Sequence, residues 1–325
     1  MKLRKDDGAE QKRLEQLYRD ERATVFQAAY RMLGSIADAE DVTQELFADL
    51  QTNGLPELRS SRAYLVRAAV NRSLNLLSSA RRRRERYVGE WLPEPLPDFP
   101  QQELGPEQLA ELHDELRYGF LTLLEKLTPS ERAVVVLHEG YGYDYESIAG
   151  MLGKSSAACR QYGSRAKRKL QQARGGDSIG NEEPENSTEA LPATKEPESS
   201  RKQVLERFVS AFENFRIEEL QRLLSEDVVM ITDGGGKVHA AIRPIFGRQR
   251  IVAFLSSPKA FQGLRQLLKQ SVVLNGEQQL LVYDDNGTVQ AAVCFELDAA
   301  GTGVRRIYLI RNPDKLSHLQ PQLLL

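Results

Sequence analysis

From Ser147 to Gly176 the chain contains no Asp or Glu, yet it holds Lys154, Arg160, Arg165, Lys167, Arg168, Lys169 and Arg174. Cations gathered without intervening carboxylates are suited to phosphate. The residues ahead of them set the geometry. Thr128-Pro129-Ser130-Glu131 supplies the N-cap, the proline at the first helical position and the capping-box glutamate of a helix start. Gly140 and Gly142 close that helix, Asp144 caps a short one running to Leu152, and Gly153 ends it. Ser155 or Ser156 then caps a longer basic helix. Short helix, glycine turn and basic helix make a helix-turn-helix. In a major groove, Ser156, Ala157, Arg160 and Gln161 would meet base edges, while Arg165, Lys167, Arg168 and Lys169 would grip the backbone. A merely solvated basic helix is the competing reading, and the punctuation ahead of the helix weighs against it.

A second basic cluster, Arg81 to Arg84, ends a helical stretch that carries Arg67, Asn71 and Arg72. Tyr64 lies two turns before Asn71, which predicts a platform where an unstacked base meets an aromatic ring and a cationic track. Other chemistry is sparse. Gly153-Lys154-Ser155 resembles part of a phosphate loop, but Ile148 stands where that loop needs glycine and no strand precedes it. Asp233 and His239 are the acid–base pair to consider in the last third of the chain. His113, His138 and His318 fall at no metal-ligand spacing, and Cys159 and Cys294 have no CxxC partner. No cofactor and no metal are expected, and a reducing cytoplasm is the default.

These residues need elements to carry them. The 325 residues suit two or three domains, and 44 basic against 46 acidic side chains leave a net charge of −2 that names no partner. The N-terminus is charged and lacks the apolar run of a signal peptide, and the apolar run at 133–137 is far too short to span a bilayer. Pro93, Pro95, Pro97, Pro100 and Pro106 forbid a continuous helix across 86–107. Residues 175–200 hold seven acidic side chains and predict a flexible linker, one that could screen the basic helix transiently. The domains expected are therefore 10–85 and 108–174, both all-helical, and 201–325. The last changes period: helices at 202–215 and 217–224 precede strands at 228–231, 272–274, 280–283, 289–295 and 304–310, with a helix near 248–255. Asp285-Asn286-Gly287 predicts a hairpin turn, and Asp233-Gly234-Gly235-Gly236-Lys237 another turn. This is an α+β domain.

Across residues 10–174 the chain resembles the extracytoplasmic-function class of sigma factors. Ala29 to Ser35 and Ala39 to Glu45 are similar to the opening of that family's region 2, and Tyr64 to Arg72 to its promoter-melting helix. Leu127 to Arg132 and Ser164 to Lys167 are similar to its region 4. Trp91-Leu92-Pro93-Glu94-Pro95, Asp233 to Lys237 and Asn312 to Leu316 resemble motifs of a subgroup with a fused SnoaL-like, NTF2-fold C-terminal cone. The resemblance implies a non-enzymatic protein. Asp41, Gln44 and Glu45 would bind the core RNA polymerase clamp, with region 4 at its flap. Tyr64, Arg67, Asn71, Arg72, Arg81 and Arg82 would bind the −10 element. Ser155 and Ser164 would join the basic helix at the −35 element. The fused domain would replace a separate anti-sigma protein, docking through Trp91, Leu92 and Pro93 with Asp233, Gly234, Gly235, Gly236 and Lys237. Two alternatives stay open: a helix-turn-helix regulator whose C-terminal domain senses an unknown small ligand, and a cyclase or isomerase in the NTF2-like cone.

Overall fold

The computed structural model describes residues 3–56, 60–84, 87–97, 117–174, 198–257, 264, 266–298 and 300–319. The acidic stretch 175–197 lies outside them. The chain divides into two compact units that do not follow chain order. One joins Met1–Glu85 to Leu123–Arg174, and the other joins Arg86–Thr122 to Gly175–Leu325.

The first unit begins with α1 (Leu3–Leu33), α2 (Ile36–Asn53) and α3 (Ser61–Arg84). Gly34 takes φ 65° and ends α1. Ser35 caps α2, its hydroxyl accepting from the Asp38 amide at 3.3 Å. The three- and four-residue apolar spacing becomes the core: Val25, Tyr30 and Leu33 of α1 are buried, as are Val42 and Leu46 of α2 and Leu65 and Ala69 of α3. A short helix, α4 (Tyr118–Leu124), crosses the division between units. α5 (Pro129–Glu139), α6 (Tyr145–Leu152) and α7 (Ser156–Arg174) complete the first unit. The capping box at Thr128 and Glu131 is formed in both directions, Asp144 caps α6, and Gly153 adopts the left-handed conformation at φ 62°. Among the described residues no helix is long and apolar enough to cross a membrane.

The second unit is a six-stranded mixed sheet, ordered β2-β1-β6-β5-β4-β3. Its strands are β1 (Leu224–Asp233), β2 (Ile245–Phe246), β3 (Leu268–Leu274), β4 (Glu277–Tyr283), β5 (Val289–Leu297) and β6 (Val304–Ile310). All pairings are antiparallel except β1 with β6. Helices α8 (Glu198–Glu213), α9 (Ile217–Leu223) and α10 (Arg248–Ser256) accompany the sheet. One sheet face is filled by Phe208 and Phe212 of α8 against Phe295, whose ring meets Phe208 edge-on at 4.8 Å. The other face buries Leu281, Ala292, Cys294, Tyr308 and Ile310 beneath Leu92 and Tyr118, which come from the segment joining the two helical regions. This explains the run Ala291 to Phe295, buried throughout rather than alternating: both faces of β5 are covered.

Candidate nucleic-acid interface

On α7 the buried side is Cys159, Ala166 and Leu170, and Ala157, Arg160, Gln161, Ser164, Arg165, Lys167 and Arg168 are exposed. Ser155 is the cap, its hydroxyl accepting from the Ala158 amide at 3.2 Å, and Ser156 is half-buried. Lys169 is not part of the free cationic face: its ammonium lies 2.6 Å from Glu131, the capping-box carboxylate of α5. Burial works to raise the Glu131 carboxyl, yet Lys169 and Thr128 hold it below its ordinary range. Gly163 does not break α7, which runs unbroken to Arg174. It makes room for Tyr145, since a Cβ there would sit 2.6 Å from the Tyr145 hydroxyl and 3.1 Å from its ring. Tyr145 in turn stacks on His138 at 4.5 Å and is not free to yield. Gly163→Ala is therefore expected to lower the melting temperature of the full chain: overpacking costs about 1–3 kcal/mol, outweighing the roughly 1 kcal/mol of helix propensity gained. A raised melting temperature would show that Tyr145 gives way.

In the three-helix region, Asp41, Gln44 and Glu45 stand exposed together on α2, at the three- and four-residue spacing of one helix face. A cavity of about 440 Å³ opens between the end of α2 and the start of α3, lined by Leu46, Asp49, Asn53, Tyr64 and Arg72 among others. Arg72 is ion-paired to Asp49 at its edge. Arg67 is exposed. Arg81 and Arg82 lie on the last turns of α3, and their side chains fall outside the described residues.

Asn71 does not line this cavity. Two turns, about 10 Å, separate it from Tyr64, and its amide instead donates to the Met151 carbonyl of α6 at 3.0 Å. Further contacts join the same two regions. Arg132 donates to the Met32 carbonyl at 2.7 Å, the Tyr141 hydroxyl donates to the Thr24 carbonyl at 3.1 Å, and the Arg31 guanidinium lies 5.4 Å from the Tyr141 ring centre. The spacing of Tyr64 and Asn71 gave no sign of this, because the partner face belongs to a distant segment.

In the second unit the three motifs singled out by sequence meet at one buried carboxylate. Asp233 is fully buried at the end of β1. One carboxylate oxygen accepts from the Tyr87 hydroxyl at 2.5 Å and the Gly235 amide at 3.0 Å. The other accepts from the Leu92 amide at 3.0 Å and the Lys315 ammonium at 2.8 Å. Lys315 also donates to the Leu92 carbonyl and lies 3.9 Å from the centre of the Trp91 ring. Burial, then the Asp233 carboxylate, push the Tyr87 phenol well above the ordinary tyrosine range. Gly235 has φ 59°, and a Cβ there would collide with Asn312, whose amide donates to the Tyr87 oxygen at 2.8 Å. Gly234 is buried in the same turn, and Gly236 is exposed beside Val88.

Lys237 is not the buried cation of this cluster. It forms an exposed pair with Asp314 at 2.6 Å, the kind that contributes little. Lys315, two residues past the Pro313 that starts a short 3₁₀ turn, takes the inner place. With four donors on its carboxylate, Asp233 has no lone pair directed to a substrate, and the His239 side chain is exposed. The acid–base pair considered from sequence is thus not assembled.

The joining segment is held at further points. The Pro93 carbonyl accepts from the Tyr118 hydroxyl at 2.7 Å, and the Pro95 carbonyl meets His318 Nε2 at 2.8 Å. Asn275 exchanges hydrogen bonds with Leu96, at 2.7 Å through its backbone amide and 3.0 Å through its side-chain oxygen. Tyr87 and Asn275 were residues that sequence reasoning missed, and Lys315 was read only as part of the Asn312 to Leu316 motif, with no role of its own. Asn275-Gly276, both at positive φ, is a two-residue hairpin signal that could have been found.

Residues 17–83 match the family model for sigma-70 region 2, and residues 119–170 match that for sigma-70, region 4. The chain is 30% identical over 236 residues to the ECF RNA polymerase sigma factor SigJ of Mycobacterium tuberculosis, covering 72% of this chain and 69% of that one. It is 35% identical over 159 residues to the probable ECF RNA polymerase sigma factor SigI of the same organism, covering 48% of this chain and 54% of that one. The crystal structure of M. tuberculosis SigJ superimposes with a TM-score of 0.69 at 25% identity, covering 92% of this chain and 97% of that one. The likeness to SigJ extends beyond both helical regions, and on that footing the chain belongs to the extracytoplasmic-function sigma factors, which direct RNA polymerase to promoters.

Proposed function

We propose that the exposed face of α7 reads the −35 element, that the cavity between α2 and α3 takes an unstacked base of the −10 element, and that Asp41, Gln44 and Glu45 seat α2 on the polymerase clamp. The clamp around Asp233 regulates the process by fixing the path of the segment that joins the two reading regions.

One observation carries the regulatory part: Asn71 of α3 touches Met151 of α6. Only five residues separate Met151 from Ser156, a reach of at most about 18 Å. The two promoter boxes are centred about 25 base pairs apart, roughly 85 Å along B-form DNA at 3.4 Å per pair. Regions packed this way cannot occupy both boxes, so the arrangement is closed, and initiation requires it to open. Opening lengthens the path between α3 and α5, and both ends of that path, at Leu92 and Tyr118, are tied to the sheet domain. Releasing the segment and separating the reading regions are then coupled steps.

In vitro transcription with core polymerase on a pool of genomic fragments, with the full chain and with residues 1–174, tests this reading. Template-specific initiation that changes when 201–325 is removed supports it; identical output from both proteins would exclude a regulatory role for the domain. For α7, Arg160→Ala is expected to weaken binding at one position of the −35 sequence by about 1–3 kcal/mol. Uniform loss across sequences would make Arg160 a phosphate contact instead.

A further inference from the structure

The sheet domain has its own cationic stretch, unrelated to α3 and α7. From Gly234 to Gly276 the sequence contains no Asp or Glu but seven Lys or Arg residues, in a chain of net charge −2. Several of them follow one edge of the sheet. β2 is the edge strand, with Phe246 opposite Val229 of β1. Arg243 precedes it, and Arg248 and Arg250 lie in the first turn of α10 directly after it. Arg311, just past the end of β6, donates to the His239 carbonyl in the loop that leads to β2, at 2.8 Å.

These cations lack the partners that surface arginines usually find. Among the described residues, Arg243, Arg248, Arg250 and Arg311 have no carboxylate in salt-bridge range, and the Nε atoms of Arg248 and Arg311 are buried without an acceptor. Burial alone lowers the Arg311 guanidinium. Two acids of the same domain are engaged elsewhere: Asp227 with Arg305 at 3.4 Å, and Asp314 with Lys237. Two arginines in the first turn of a helix also oppose its dipole, which an anion at that edge would relieve. Between the cations stand exposed apolar side chains, Ile242 at 66% and Phe246 at 60%.

Guanidinium groups interleaved with an exposed aromatic ring along an open strand edge are what binds single-stranded nucleic acid: cations track the backbone and the ring stacks a base. An acidic protein surface would satisfy the charges but gives Phe246 no flat partner. A duplex presents no unstacked base. We propose that this edge, centred on Arg243, Phe246, Arg248 and Arg250, is a third nucleic-acid contact of the chain and takes a single strand, either an opened promoter strand or a transcript.

The test uses the full chain and fluorescein-labelled 20-nucleotide oligo-dT, oligo-U and duplex DNA, with anisotropy measured across a salt series. The triple variant Arg243→Ala/Arg248→Ala/Arg250→Ala should bind single strands at least about tenfold more weakly, with the log–log salt slope reduced by about 2, at roughly 0.7 per lost phosphate contact. Phe246→Ala should weaken binding about tenfold with the slope unchanged, because stacking releases no counterions. Unchanged melting temperatures exclude unfolding as the cause. A preference for oligo-dT or for oligo-U identifies the strand, and either preference supports the proposal. Unaltered affinity and slope in the triple variant, or a loss confined to the duplex, overturns it. So does a loss confined to core polymerase binding, which would make the edge a protein contact. Binding through α3 and α7 is common to the wild-type chain and the edge variants, so the difference between them reports the edge alone.

Discussion

Asp233→Ala is expected to release the joining segment from the sheet domain. The substitution leaves the Lys315 ammonium, whose side chain is 6% exposed, without its counter-charge and frees the Leu92 amide and the Tyr87 hydroxyl. Removing one partner of a buried pair costs about 3–5 kcal/mol, and at 1.4 kcal/mol per tenfold that is at least a hundredfold shift toward the released form. Hydrogen exchange at the Leu96 and Asn275 amides is the readout, since neither bonds to Asp233. Both should lose protection while the pairing of β5 with β6 keeps its own. Asp233→Leu combined with Lys315→Met should recover much of the loss, because an apolar pair of similar volume can replace a buried ion pair at little cost. Unchanged protection at Leu96 in Asp233→Ala would mean that the carboxylate does not hold the segment.

Tyr141→Ala should act on the closed arrangement itself. The hydroxyl bonds to the Thr24 carbonyl and the ring lies beside Arg31, so truncation removes a hydrogen bond of about 1 kcal/mol and a cation–π contact of about 0.5–1 kcal/mol. With the lost apolar contact the closed state should weaken by about 2–3 kcal/mol, roughly a 30- to 150-fold change in the closure equilibrium. DNA carrying both promoter boxes should then be bound more tightly by the free chain, and an isolated −35 duplex with unaltered affinity. Equal gains on both would place the effect in α7 rather than in closure.

The helical punctuation was legible because its causes are local. Thr128 and Glu131 satisfy each other's amides within four residues, and Asp144 needs only Ser147. Strand β6 follows equally from its own apolar residues. Gly163 shows the limit of local causes: its helix-propensity cost is local, but its purpose, clearance for Tyr145, comes from another helix. The motif residues Trp91, Leu92 and Asp233 do converge, but charge alone could not decide whether Lys237 or Lys315 would be the buried cation, because burial depends on how the turn at Asn312 folds back beneath the Trp91 ring. Least legible was the covering of the second sheet face. The unbroken apolar run in β5 announced that something must lie over it, and only long-range packing identifies the proline-rich segment as the cover.

The coupling of promoter reading to the separation of two helical regions rests on distance, so distance is what to measure. Fluorophores on Asn75 of α3 and Gln172 of α7, both exposed, report it by energy transfer, with Cys159 and Cys294 buried and out of reach of the labels. The free chain should show efficient transfer, and the polymerase–promoter complex should show it collapse as the pair moves beyond about 60 Å, toward the roughly 85 Å between the boxes. Efficient transfer persisting in a complex that is actively initiating transcription would contradict the account.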